Sequence, residues 1–171
     1  GGLPIIQHKF LSNNTGSGNG AGDVLRLVGG NINAATTLSP AAALNGSGVF
    51  VLTSLLNIRA SGSLTIQPNV ILKFLASAEI SVAGDLQVTT GPVFCTSIHD
   101  DTIGGDSAGD GPTVGNPGDW SGISLSGSTP SQLTGVEVRF AGTTSNGIVR
   151  ALTGGHVLDG CTLFGGASFG F

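Results

Sequence analysis

The sequence predicts an all-β fold: a right-handed parallel β-helix, meaning a three-sided solenoid of about 22 to 25 residues per coil, with one long acidic loop insertion. Three observations predict it. Short runs that alternate Val, Ile, Leu, Thr and Phe with polar residues occur along most of the chain, while helical periodicity is nearly missing. These runs repeat at a fixed period. One stretch, 99–119, interrupts the period and carries clustered aspartates.

Composition limits the functions that such a fold can have. Apolar residues make up 39% of the chain, which is too many for a disordered segment even though 30 of the 171 residues are glycine. Charged residues are only 9%, and the six lysines and arginines are scattered, so the sequence has no basic stripe for a nucleic-acid backbone. The best apolar run, GVFVLTSLLNI, is interrupted by Thr, Ser and Asn. We therefore expect neither nucleic-acid binding nor a membrane span.

The repeat is visible as pairs of apolar residues two positions apart, in three families. The first family contains Val49/Val51, Val70/Leu72, Val93/Cys95, Val136/Val138 and Cys161/Leu163. The second contains Leu64/Ile66, Leu86/Val88, Ile123/Leu125 and then Ile148. The third contains Leu56/Ile58 and Ile80/Val82. Within a family the step is about 21 to 25 residues, and removing about fifteen to twenty residues of insertion restores the step where it is broken.

Three strands per period describe a coil with three sides. Coils stacked about 4.8 Å apart pair each strand in parallel with its equivalent in the next coil, and strand twist makes the right-handed form the default. A sandwich would instead need hairpin turns and would show no such long period. In VILKF (70–74) the alternation directs Leu72 inward and Lys73 outward. Cys95 and Cys161 fall on one face but two coils apart, beyond disulfide reach.

The first thirty residues differ from the repeat. SNNTGSGNGAGD (12–23) is a Gly/Asn/Ser run typical of a flexible linker, and LPIIQHKFL precedes it. We interpret 1–30 as an N-terminal arm or cap with a linker, and 31–171 as the β-helix with the loop insertion 99–119. Residues 1–11 are a cap strand, a linker from a preceding domain, or an arm that reaches a neighbouring molecule. The chain does not begin with Met, which indicates a processed product or a fragment of a longer protein.

Several blocks in a fixed order carry a resemblance to a known family. They are GSLTIQPNVILKF, ISVAGDLQV, VFCTSIHDDTIGGDSAGDG continuing to GDWSGI, and LTGVEVRFAG. Over roughly residues 30–164 the chain resembles the right-handed parallel β-helix repeat proteins of bacterial cell surfaces, which share the pectate-lyase-like architecture. The resemblance implies an extracellular or cell-surface location. It also implies a calcium-type loop at DSAGDG, where Asp106, Asp110 and Gly111 match the Asp-x-Asn-x-Asp-Gly pattern and Ala108 departs from it.

The inserted loop holds the candidate binding residues. Calcium takes about six to eight oxygen ligands; Asp100, Asp101, Asp106 and Asp110 supply carboxylates, and the Gly-rich backbone supplies carbonyls. A cation would relieve the repulsion among these carboxylates, so calcium is the predicted cofactor. The alternative is a solvated acidic loop without a metal. Trp120 follows the loop, and it either anchors the return of the chain to the core or offers a ring on which a sugar stacks.

Three functions are compatible with this pattern. The first is a non-catalytic extracellular scaffold that self-associates end to end or by arm exchange, or continues into further coils, because stacked coils leave open strand edges. The second is a carbohydrate-binding or adhesion module, although one tryptophan and no tyrosine offer few rings. The third is a polysaccharide lyase or hydrolase that uses paired aspartates, or Lys73 and Arg139 one coil either side of Val93–Ser97. We expect the first, and hence no enzymatic activity.

Overall fold

The computed structural model describes residues 13–18 and 23–168, which form a stack of short strands. In chain order the strands are β1 (Leu25–Leu27), β2 (Gly30–Ile32), β3 (Ala35–Leu38), β4 (Val49–Leu52), β5 (Leu56–Ile58), β6 (Ser63–Ile66), β7 (Ile71–Phe74), β8 (Glu79–Val82), β9 (Asp85–Val88), β10 (Val93–Ser97), β11 (Gly122–Leu125), β12 (Gln132–Thr134), β13 (Val136–Arg139), β14 (Val149–Ala151), β15 (Val157–Asp159) and β16 (Thr162–Phe164). Two short 3-10 segments, Pro40–Ala42 and Leu44–Gly46, lie between β3 and β4. Among the described residues, no helix has the length and apolar character needed to cross a membrane.

These strands form three parallel sheets, one for each side of a coil. Sheet A has the order β1-β4-β7-β10-β13-β16, sheet B the order β14-β11-β8-β5-β2, and sheet C the order β15-β12-β9-β6-β3. Every third strand along the chain joins the same sheet, and the paired strands run parallel. The predicted all-β, three-sided parallel solenoid is therefore confirmed.

Equivalent residues of successive coils form continuous columns in the interior. In sheet A, Leu72 pairs with Cys95 and Cys95 pairs with Val138, and all three side chains are buried. Cys95 and Cys161 are both free thiols, as their predicted separation requires. Burial, with a smaller contribution from Cys161, raises the pKa of the Cys95 thiol to about 12. Cys95 is thus an inert core residue rather than one half of a redox pair.

One predicted register in sheet A is wrong by one residue. The structure pairs Phe50 with Leu72, so Phe50 and Leu52 point into the interior, not Val49 and Val51. All four residues of β4 are buried, so the strand is apolar on both faces. In such a strand, alternation does not show which residues point into the interior, because both sets of alternate residues are apolar.

One predicted family also mixes two sheets. Ile123 and Leu125 lie in sheet B beside Ile80 and Val82, whereas the pattern placed them with the sheet C strands. The member of sheet C in that coil is Leu133, which pairs with Val88. The loop insertion precedes these strands and obscures the spacing. The sheet C strand of this coil is therefore β12, one strand later along the chain than the pattern indicated.

The solenoid begins before residue 30, because β1 already pairs with β4 in sheet A. Part of the predicted linker packs beside the 3-10 segments: Asn45 Nδ2 donates to the Gly16 carbonyl at 2.8 Å, and Asn45 Oδ1 accepts from the Gly16 N–H at 3.0 Å. Residues 1–12, 19–22 and 169–171 lie outside the described residues. The arm or cap predicted at 1–11 therefore falls outside the part of the chain that the structure places.

The corners that lead from sheet A to sheet B differ greatly in length. They span 28–29 after β1, 53–55 after β4, 75–78 after β7, 98–121 after β10 and 140–148 after β13. The loop insertion predicted at 99–119 lies at the corner after β10. The strands on either side of it stay in register with the coil before, since β10 pairs with β7 and β11 pairs with β8.

The first and last described coils differ in burial. In the first coil, Leu27, Ile32 and Leu38 are fully buried. In the last coil, the inward residues Leu158 and Leu163 are only partly buried. Within residues 23–168, β14, β15 and β16 each have a hydrogen-bonded neighbour on one side only. The last coil thus presents an apolar end with open strand edges.

Candidate functional site

The acidic loop, defined as residues 98–121, folds back over the outer face of sheet A. A Cβ atom placed on Gly104 would lie 3.2 Å from Cγ2 of Val49 and 3.3 Å from Cγ2 of Ile71, so the loop backbone lies directly on β4 and β7. The φ angle of +73° at Gly104 also favours glycine there. This second layer explains why β4 is buried on both faces.

The base of the acidic loop is closed by a carboxylate and an indole. Asp119 Oδ2 accepts a hydrogen bond from Ser97 Oγ at the end of β10. Trp120, 1% exposed, stacks on Phe74 with ring centroids 3.8 Å apart, and its Nε1 donates to the Arg139 carbonyl at 2.8 Å. The indole therefore has no exposed ring face on which a sugar could stack. Of the two roles predicted for Trp120, its burial supports the anchor.

Three of the chain's six lysines and arginines bind the loop from the outer face of sheet A. They are Arg26 in β1, Lys73 in β7 and Arg139 in β13. Arg26 Nη2 and Lys73 Nζ donate hydrogen bonds to backbone carbonyls of the loop, and Arg139 Nη1 donates to Asp100 Oδ2 at 3.3 Å. The loop and the sheet are thus complementary in charge.

Alternation predicts that Lys73 points outward, and Lys73 does lie on the outer face of sheet A. Its side chain is nevertheless fully buried, because the acidic loop covers it. Its Nζ donates to the Gly105 carbonyl and lies 3.9 Å from Asp101 Oδ1. Burial lowers the pKa of Lys73, and it outweighs the opposing influence of the negative charges on Asp101, Asp100 and Asp106.

Asp100 is directed into the base of the loop, away from the other aspartates. Its carboxylate accepts hydrogen bonds from Thr96 Oγ1 at 2.6 Å, from the N–H and hydroxyl of Thr102, and from Arg139. Burial alone would raise the pKa of Asp100, but the hydrogen bonds from Thr102 and Thr96 and the charge of Arg139 together lower it. Asp100 is therefore an ionised carboxylate whose acceptor positions are occupied by the protein itself.

Asp101, Asp106 and Asp110, the other three predicted metal ligands, come together. One carboxylate oxygen from each lies within 4.8 Å of the others, a spacing that metal–oxygen bonds of about 2.3 to 2.6 Å could span. The carboxylate of Asp106 also accepts hydrogen bonds from the N–H groups of Gly109 at 2.6 Å and Gly111 at 3.0 Å, and these bonds lower its pKa. Calcium binding by this cluster stays a prediction.

Asp101 connects the two arms of the loop. Its Oδ2 accepts hydrogen bonds from the Thr113 N–H at 2.7 Å and from the Thr113 hydroxyl at 3.0 Å, while its own N–H donates to the Thr113 carbonyl at 3.3 Å. Its Oδ1 is buried, has no hydrogen-bond partner and faces the amine of Lys73. Buried polar atoms without partners are rare in native proteins, so this oxygen requires an explanation.

The threonines that support these aspartates were not predicted from the sequence. Thr96, Thr102 and Thr113 each donate a hydroxyl to an aspartate of the loop. Threonine is an ordinary strand residue, so its presence alone gives no signal. A signal was available at Thr96, which pairs with Lys73 in the neighbouring strand and therefore shares its outward direction.

The arrangement offers little for the chemistry of a lyase or hydrolase. Lys73 and Arg139 do lie one coil either side of β10, but Lys73 is covered and Arg139 is bound to Asp100 and Glu137. A separate cavity of about 550 Å³ lies at the N-terminal end and is lined by Asn13, Asn14, Thr15, Ala41, Asn45 and Gly46. None of these side chains is an acid or base that transfers protons near neutral pH.

Comparisons of the chain with protein-family profiles, with curated proteins and with solved structures find no match. The function must therefore be argued from the residues themselves.

Proposed function

We propose that this chain is a non-catalytic structural segment of an extracellular β-solenoid that belongs to a cell surface or a filament. One observation supports the proposal most strongly. Two acidic groups at the base of the loop, buried Asp100 and half-buried Asp119, bind the scaffold itself: Asp100 accepts hydrogen bonds from Thr96 and Arg139, and Asp119 accepts one from Ser97. Carboxylates held in this way are not available to transfer protons to a substrate. These contacts attach the acidic loop, as a second layer, to the outer face of the solenoid.

An enzyme on this scaffold would need a different arrangement. A glycosidase places two carboxyl groups across an open cleft, about 5 to 10 Å apart, with a sugar between them. Here the space between Asp100 and Asp101 and the sheet is filled by Lys73, Thr96 and Thr102. Glycan binding through Trp120 is not supported either, since the indole is buried. The scaffold is the function that these contacts favour.

The exposed last coil supports a role in assembly. Its strands β14, β15 and β16 have open edges within the described residues, and its inward residues Leu158 and Leu163 are only partly buried. A further coil stacked on this end, from the same chain or from another copy, would pair the edges and bury these side chains. We therefore propose that the scaffold is extended at this end, either by self-association or by continuation into further coils.

Assembly and turnover should be measured on the same purified chain. Sedimentation velocity and electron microscopy over a range of concentrations, with calcium or with a chelator, report on association. Product formation from polyuronates and neutral glycans reports on catalysis. We expect association that weakens in Val157→Asp but not in Val114→Asp, a substitution of an exposed residue in the acidic loop. Turnover that disappears in Asp101→Ala while the fold persists would overturn the proposal.

A further inference from the structure

We propose that Lys73 and Asp101 form an intramolecular amide bond, between Nζ and Cγ, which fastens the acidic loop covalently to β7. Three features point to it: an amine sealed from water, a carboxyl group held by two donors, and a carboxyl oxygen without a partner that faces the amine. The inference goes beyond the scaffold function, which does not depend on the bond.

The amine of Lys73 lies in surroundings that suit its neutral form. An ammonium group has three N–H donors, and the hydrogen bond recorded for Nζ within the described residues goes to the Gly105 carbonyl. Asp101 Oδ1 lies 3.9 Å away, which is beyond hydrogen-bond range. A buried ion pair without direct hydrogen bonds recovers little of its desolvation cost. The enclosure of this amine without those hydrogen bonds therefore favours its uncharged, nucleophilic form.

The carboxyl group of Asp101 is held beside that amine by hydrogen bonds to its other oxygen. The Thr113 N–H donates to Oδ2 at 2.7 Å, and the Thr113 hydroxyl shares its single proton between Oδ2 at 3.0 Å and the His99 carbonyl at 2.7 Å. These donors would stabilise the negative charge that Oδ2 gains when an amine adds to Cγ, as the donors of an oxyanion hole do. Oδ1 accepts no hydrogen bond and faces the amine, so it is the oxygen free to leave.

The reaction is a condensation without any change of oxidation state. Within the pair, Nζ transfers one proton to Oδ1. The Nζ lone pair then adds to Cγ, Nζ gives up a second proton, and the Cγ–Oδ1 bond breaks as Oδ1 takes that proton and leaves as water. The products are one amide and one water molecule, and no co-reactant is required. The bond would replace one cation and one anion by a neutral amide, so the net charge of the protein would not change.

The mass of the intact chain tests the inference directly. The purified chain, denatured before electrospray mass spectrometry, should weigh less than its sequence mass by one water molecule. Proteolysis should release a branched peptide in which the segment containing Lys73 is joined to the segment containing Asp101. Lys73→Arg keeps a positive charge at this position but lacks the reactive amine, so it should show the sequence mass.

Succinimides at Asp110–Gly111 and Asp159–Gly160 would also lose water, and two controls separate them from the amide. Mild alkali hydrolyses a succinimide but leaves the amide intact, and the variants Asp110→Ala and Asp159→Ala each remove one succinimide site. We expect the loss of water to survive the alkali and both variants. An intact mass equal to the sequence mass, or a loss of water that alkali or either variant abolishes, would overturn the inference. The wild-type mass decides the question even if Lys73→Arg does not fold.

Discussion

The corners 75–78 and 98–121 leave sheet A at equivalent positions of successive coils, but they differ in what they contact. The first joins β7 to β8 in a tight turn, in which the Ala78 N–H donates to the Leu75 carbonyl at 3.0 Å. The second passes back over sheet A and reaches Arg26 in the first coil and Arg139 in β13. The strands that flank the two corners nevertheless stay in register.

The difference shows that coil stacking and loop attachment depend on different sets of residues. Stacking depends on the inward columns, which the corner meets at its end, where Trp120 packs on Phe74. Attachment depends on outward residues of sheet A, because Lys73 and Arg139 supply the charges that the loop aspartates need. A long insertion is therefore ordered by the scaffold beneath it rather than by its own sequence. Substitutions on either side of this interface should affect the two corners unequally.

The largest effect is expected from the anchor of the long corner. Trp120→Ala removes the stack on Phe74 and leaves a cavity where the loop enters the core. We expect the free energy of unfolding to fall by about 3 to 5 kcal/mol, measured by urea denaturation. Val114→Ala, in the same loop but 61% exposed, should change it by less than about 0.5 kcal/mol. Equal losses in the two variants would contradict the anchoring role.

A smaller effect is expected from the cation that holds the base of the loop. Arg139→Ala leaves Asp100 buried with one charged partner fewer, and we expect a loss of about 1.5 to 3 kcal/mol. Arg150→Ala is the matched control, because Arg150 pairs with Glu79 at 3.0 Å where both side chains are partly exposed. That loss should be at most about 1 kcal/mol. If the control costs as much, the loop contact is not what Arg139 contributes.

The same contact makes stability depend on pH. Hydrogen bonds and Arg139 lower the pKa of Asp100 below the unfolded value of about 3.9, so the folded protein favours the ionised form. The stabilisation is complete above about pH 4 and is lost as pH falls through the folded pKa. The stability difference between the wild type and Asp100→Asn should therefore shrink from about pH 5 to about pH 2 in urea titrations. A difference that stays constant over this range would rule out the charge as its source.

The smallest effect is expected from calcium. If calcium binds Asp101, Asp106 and Asp110, it should stabilise the fold by about 1 kcal/mol at a concentration of about five times its Kd. Thermal unfolding with calcium and with a chelator measures this shift. Asp110→Ala should abolish it, whereas Asp85→Ala, which changes an acidic residue of β9, should not. A shift of equal size with magnesium would indicate a general effect of divalent cations.

The solenoid could be predicted from the sequence because its interior imposes a strict pattern. Leu72, Cys95 and Val138 lie in a column since strands that face one core must alternate with period two. The prediction was wrong at β4, whose outer residues Val49 and Val51 are apolar because the loop covers them. The pattern reports burial, and it does not report which layer causes the burial.

For the loop site, the residue types could be predicted from the sequence, but their contacts could not. Clustered aspartates located the insertion, and three of the four predicted ligands do come together. Their partners could not be predicted, because the path of an insertion over a sheet is decided by contacts distant in sequence. The burial of Lys73 is the clearest case: its outward position followed from alternation, whereas its cover came from residues more than twenty positions later.

Amide hydrogen exchange of the acidic loop tests the central claim most directly. That claim is that residues 98–121 are held against sheet A as part of the scaffold. We predict that the amides of Asp101 and Thr113, both hydrogen-bonded across the loop, exchange at least about 100-fold more slowly than in an unstructured peptide. Exchange of these amides at the unstructured rate, while the amides of β10 remain protected, would contradict it.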